Sequence, residues 1–109
     1  QYEEVFPKLQ KSSIGMVSLE CQHSRVPMDL IELLRGKKVM VGAIDVATEV
    51  IETPEEVADI LRQALRFVDA DKLYPCTNCG MAPLPRRVAQ GKLSALSAGA
   101  EIVRRELSA

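Results

Sequence analysis

The stretch Val39 to Leu65, VMVGAIDVATEVIETPEEVADILRQAL, decides the fold. Its first residues, Val39 to Ile44, form a short apolar run of strand length that ends at Asp45. Further on, Thr53 is placed to cap a helix, Pro54 sits in the first turn where its missing N–H costs nothing, and Glu56 completes a capping box. Apolar residues then recur at Val57, Ile60, Leu61, Ala64, Leu65 and Val68, a stripe one helix face wide. A buried strand followed by a helix with one apolar face is half of a parallel α/β unit.

The same alternation extends outward on both sides. Upstream, residues 2 to 10 read as the end of a helix, and Ile14 to Leu19, IGMVSL, reads as a strand with Glu20 at its end. Between that strand and the next, Pro27 to Leu34 reads as a helix on Met28, Leu30, Ile31 and Leu34, stopped by Gly36. Downstream, Lys72 to Tyr74 is a short third strand leading into CTNCGM. A last helix starts near Pro85, with Ala89, Leu93, Leu96, Ala100, Val103 and Leu107 on its inner face. Its basic residues Arg86, Arg87, Lys92, Arg104 and Arg105, interleaved with Glu101 and Glu106, are expected on a solvated face. The pattern is that of a parallel α/β protein, and its near-continuously apolar strands imply a sheet covered on both faces. Residues 1–109 show no repeat and no Gly/Ser linker, so they are expected to form one structural unit.

Composition narrows the function classes. The chain has 109 residues, 47% hydrophobic and 27% charged, with a formal net charge of −1, which lacks the basic excess of a nucleic-acid binder. No apolar run approaches the ~20 residues that cross a bilayer, so no membrane partner is expected. The N-terminal QYEEVFPKLQK lacks the pattern of a secretory signal. Three cysteines, an odd number, suit reduced thiols in the cytoplasm better than a disulfide framework.

In parallel α/β folds ligands gather at the carboxyl ends of the strands. The polar residues of this chain sit there: Glu20, Cys21 and His23 after the first strand, Asp45 after the second, Cys76 and Cys79 after the third. Thiolate, imidazole and carboxylate together suit zinc. Two sites can be drawn. A closed set of Cys21, His23, Cys76 and Cys79 would be structural, whereas Glu20 and one cysteine, joined by ligands from outside these residues, would leave a position open for substrate. A redox role for Cys76 and Cys79 needs a helix N-terminus at the first thiol, and here the helix begins behind Pro83 and Pro85. The plainer readings are a loop residue for His23, a strand-end cap for Asp45, and core packing for the methionines and for Cys21, which should face away from Glu20.

VSLECQHSRVPMDLIELL, VMVGAIDVATEVIETPEEVADILRQAL and DKLYPCTNCGMAPLPRRVAQGKLSALSAGAEIVRREL together resemble the C-terminal end of cobalamin-independent methionine synthase and its shorter core relatives, across almost the whole chain. The resemblance implies the last strands and helices of a (β/α)8 TIM barrel, a fold of about 250 residues, present here as a fragment expected to be inactive on its own. Its partner would be the missing N-terminal barrel segment, or a second copy of the chain. The resemblance further implies zinc held by Glu20, in VSLE, and Cys79, in TNCG, with Cys76 as an extra thiol and homocysteine as the thiol substrate. The family's H-x-C ligand pair has no counterpart in this sequence. Asp45, the strand-end aspartate of GAIDVA, is the candidate catalytic residue. Ala47 stands where the methionine synthase pattern has histidine, which points to a methyl donor other than a folate, such as a methylcorrinoid, or to another electrophile. The related epoxyalkane:coenzyme M transferases open an epoxide with the same zinc-thiolate logic.

Overall fold

The computed structural model describes residues 2–22 and 26–109. Three strands, β1 (Met16–Glu20), β2 (Lys38–Ile44) and β3 (Leu73–Thr77), form a parallel sheet in the order β1-β2-β3. Among the described residues three α-helices accompany them: α1 (Tyr2–Lys11), α2 (Pro54–Ala64) and α3 (Arg86–Ser108).

The central strand forms where its sequence suggests, and Val39, Val41 and Ala43 are fully buried on one face. That face meets α2 and α3 in a core that includes Leu19, Val57, Leu61, Ala64, Ala95 and Val103. The other face carries Met16, Ser18, Glu20 and Lys38, all exposed, with Met40 and Cys76 half-buried and Tyr74 39% exposed. Among the described residues the sheet is therefore covered on one face, not two. The apolar character of β2 reflects its central position as much as layering.

The capping box of α2 forms as expected. Thr53 Oγ1 accepts from the Glu56 N–H at 3.1 Å, and Glu56 Oε1 accepts from the Thr53 N–H at 3.0 Å. Pro54 takes the first helical position.

Elsewhere the structure departs from the expected boundaries for identifiable reasons. Residues Met28–Leu34 form a 3-10 helix rather than an α-helix. Met28, Ile31 and Leu34 recur every three residues, the period of a 3-10 helix, which stacks them on one side. Gly36 stops the element as expected, with φ +90°. The third strand runs through Pro75 to Thr77 because β3 is an edge strand of this sheet, where a missing N–H is tolerated. That extension places Cys76 inside the strand.

The buried stripe of α3 is Val88, Lys92, Ala95, Gly99 and Val103, while Leu93 and Leu107 are exposed. The helix is rotated from the face expected of it, because a buried lysine and a buried glycine occupy positions that hydrophobicity does not mark. No helix among the described residues is long and apolar enough to cross a membrane.

Candidate functional site

The register aligns Glu20 of β1 with Gly42 of β2, and Gly42 with Cys76 of β3. Residues aligned across parallel strands share a face, so Glu20 and Cys76 flank a position without a side chain. Asn78 fills the space above it. A Cβ on Gly42 would run into Asn78 Oδ1 and stand 2.9 Å from the Leu19 carbonyl oxygen. Asn78 links the three strand ends, donating its N–H to the Ile44 carbonyl at 2.8 Å and accepting from the Gln22 N–H at 3.4 Å. Its buried Nδ2 has no partner among the described residues. The sequence reading missed Asn78; the only signal was a short polar residue between two cysteines.

The three thiols differ in environment. Cys79 is exposed two residues beyond β3, and its carbonyl accepts from the Thr77 hydroxyl at 2.8 Å. Cys76 is half-buried; burial raises its pKa, and the Ser18 hydroxyl partly offsets this. Cys21 is a core residue, as expected, with 2% exposure. Burial and then the neighbouring Cys76 push its thiol up to about 11, against a lowering contribution from the Gly42 backbone. Cys21 and Cys76 are thus held protonated at neutral pH, the opposite of a depressed redox thiol.

Among the described residues no three His, Cys, Asp or Glu side chains converge on a point that could hold a metal. The closed set of Cys21, Cys76 and Cys79 with His23 is therefore not assembled by its three cysteines, and His23 lies outside the described residues. Glu20 and Cys79 lie at the carboxyl end of the sheet, and both residues are exposed. Glu20 lines a cleft of about 440 Å³ with Tyr2, Ser18, Leu19 and Val26. A carboxylate and a thiol are both donor types that zinc accepts.

Asp45 follows β2 and is buried, 8% exposed. Its Oδ1 accepts from the Ala47 N–H at 2.9 Å, the local turn that a strand-end aspartate favours. Its backbone is held by residues from two other places: the Asp45 N–H donates to Glu52 Oε2 at 2.8 Å, and its carbonyl accepts from Lys92 Nζ at 2.9 Å. Lys92, expected on a solvated face, is fully buried and pairs with Glu52 at 3.0 Å. Long side chains of this type are rarely buried without a partner, and nothing in the helical spacing of α3 revealed one 40 residues away in the chain.

The family model for the catalytic domain of cobalamin-independent synthase matches residues 1–101. The chain belongs to this family. Among curated relatives, a methionine synthase of Thermococcus kodakarensis is 37% identical over 81 residues, 74% of this chain and 24% of that protein. A methionine synthase of Sulfurisphaera tokodaii is 33% identical over 98% of this chain and 32% of its own. A 2-hydroxypropyl-CoM lyase of Xanthobacter autotrophicus is also 33% identical, over 95% of this chain and 30% of its own. The solved B12-independent methionine synthase from Shewanella sp. W3-18-1, in complex with selenomethionine, is 77% identical and superposes with a TM-score of 0.95, covering 97% of this chain and 31% of that one. The chain thus spans between a quarter and a third of the length of these family members.

Proposed function

We propose that these residues form the last strands and helices of a (β/α)8 catalytic barrel in a zinc-dependent thiol methyltransferase that methylates homocysteine. The observation that carries the reading is the placement of Glu20 and Cys79 at the carboxyl end of one parallel sheet. The Shewanella relative supports the substrate class, since selenomethionine is the selenium form of the methylated product.

In this reading Glu20 and Cys79 would hold zinc together with two ligands from the rest of the barrel. The ion would supply there the positive charge that favours a thiolate nucleophile over a thiol at neutral pH. The two anionic side chains lower the net charge at that position, so that a thiolate there keeps its nucleophilicity. Asp45 stands at the end of the central strand with its backbone fixed on both sides, which suits a carboxylate that orients substrate or accepts a proton. Ala47 supplies no proton-handling group, which favours a donor other than methylfolate, such as a methylcorrinoid. Cys76, on the same sheet face as Glu20, lines the site as an extra thiol. The unpaired thiols suit the cytoplasm.

The likeness to 2-hydroxypropyl-CoM lyase favours a second reading, in which the zinc-held thiol is coenzyme M and the electrophile is an epoxide. Supplying the missing barrel segment and measuring zinc by mass spectrometry tests both. One equivalent of zinc is expected in wild type, with loss in Cys79→Ala and Glu20→Ala. Undiminished zinc in the variants rejects the ligand assignment, and comparing turnover of homocysteine and coenzyme M separates the two chemistries.

A further inference from the structure

Lys92 and Glu52 are the one buried ion pair among the described residues, with side-chain exposures of 0% and 6%. Removing both ions from water is costly, and a well-packed apolar pair commonly stabilises a core as well or better. What distinguishes this pair is where its hydrogen bonds go. Lys92 Nζ donates to the Asp45 carbonyl at 2.9 Å, the Val50 carbonyl at 2.7 Å and Glu52 Oε1 at 3.0 Å. Glu52 Oε2 accepts the Asp45 N–H at 2.8 Å. Every one of these bonds ends within residues 45–52, the connection leaving the carboxyl end of β2. Next to Lys92, Gly91 leaves the room in which Ile51 packs on α3: a Cβ there would stand 2.6 Å from Ile51 Cδ1.

We infer that Lys92 and Glu52 are positioning residues of the candidate site, a charged couple that grips both backbone groups of Asp45 and fixes its carboxylate at the end of the central strand. The functional meaning rests on the reading of Asp45 as a site residue; the grip itself does not. The couple acts through a backbone turn and touches no reacting atom. Asp45 also lines a cleft of about 260 Å³ with Gln22, Thr48 and Glu56, so a shift of the turn changes what that cleft presents.

Amide hydrogen exchange, followed by NMR on the 109-residue chain, tests this without zinc or turnover. Lys92→Met is expected to speed exchange of the Asp45 amide at least tenfold and to move the Asp45 and Ala47 amide resonances. The Val41 and Leu61 amides should keep their wild-type rates. Glu52→Gln is expected to act in the same direction, because a carboxamide cannot accept from both Asp45 N–H and Lys92 Nζ through its two ends. The double variant K92M/E52Q should restore slow exchange: the Gln carbonyl accepts from Asp45 while its NH2 donates to carbonyls that Lys92 has left. Unchanged exchange at Asp45, or uniform acceleration at Asp45, Val41 and Leu61 without rescue in the double variant, overturns the inference. If Lys92→Met does not fold, Glu52→Gln and the double variant decide by the same two outcomes. If the proposed thiol chemistry fails while Asp45 responds locally, the grip stands and the site reading falls.

Discussion

A Cβ atom on Gly99 of α3 would stand 2.5 Å from both Cβ and Cγ1 of Val57 on α2, and 2.8 Å from the Pro54 carbonyl oxygen. The two helices therefore approach to a distance that only a glycine permits at this point. One of the obstructing atoms is backbone at the first turn of α2, so the contact cannot be relieved by a rotamer change alone. Gly99→Ala is expected to destabilise the chain by about 1–3 kcal/mol through overpacking, net of the roughly 1 kcal/mol that alanine gains over glycine in a helix. Urea unfolding checks this; a variant at least as stable as wild type would show that the helices separate freely.

The thiols give a second expectation. Exposed Cys79 should react first with iodoacetamide and buried Cys21 last, as read by peptide mass spectrometry after timed quenching. With a pKa of about 11, Cys21 is thiolate in only about one molecule in a thousand at pH 8. The sign for stability follows by linkage. The folded chain holds the Cys21 proton more tightly than the unfolded chain, whose pKa lies near 9.0. Below pH 9 this contribution is fully present; it is lost as pH rises from about 9 through 11. Cys21→Ser or Cys21→Ala should remove that alkaline slope, and an unchanged slope in both would assign it to another group.

The sheet makes a third. Among the described residues β1 and β3 are both edges, and the face bearing Met16, Met40 and Tyr74 leaves Met16 and Tyr74 exposed. Unpaired edges beside a partly apolar face invite strand addition. Light scattering of the chain alone is expected to give a mass at least twice that of the monomer, replaced by the mass of a one-to-one complex when the complementary barrel segment is added. A monodisperse monomer under both conditions would contradict it.

How far the sequence could be read varies with the kind of signal. The strand β2 and the capping box of α2 were legible because each is encoded within a few adjacent residues whose chemistry is local. Met28–Leu34 was misjudged in type because a spacing of three fits both an α-helix stripe and a 3-10 helix, and packing chooses between them. The face of α3 was misjudged because its buried positions include Lys92 and Gly99, whose burial depends on partners in residues 45–57.

The candidate site divides in the same way. The strand-end positions of Glu20 and Asp45 were legible because strand ends are where polar residues interrupt apolar runs, whereas Cys79 was singled out among the thiols by the family resemblance alone. Asn78 was not, since its role comes from filling the space above a glycine on another strand. Cys76 changed neighbours once β3 proved longer than expected, and so came to share a face with Glu20.

The buried ammonium of Lys92 also constrains the order in which the chain assembles. Docking α3 against the sheet before residues 45–52 are in place would strand a cation in an apolar environment with no acceptors, at a cost that disfavours the intermediate. Helix docking and closure of that connection should therefore be a single kinetic event, with α3 contacts such as Ala95 and Val103 giving φ-values that match those of residues 45–52.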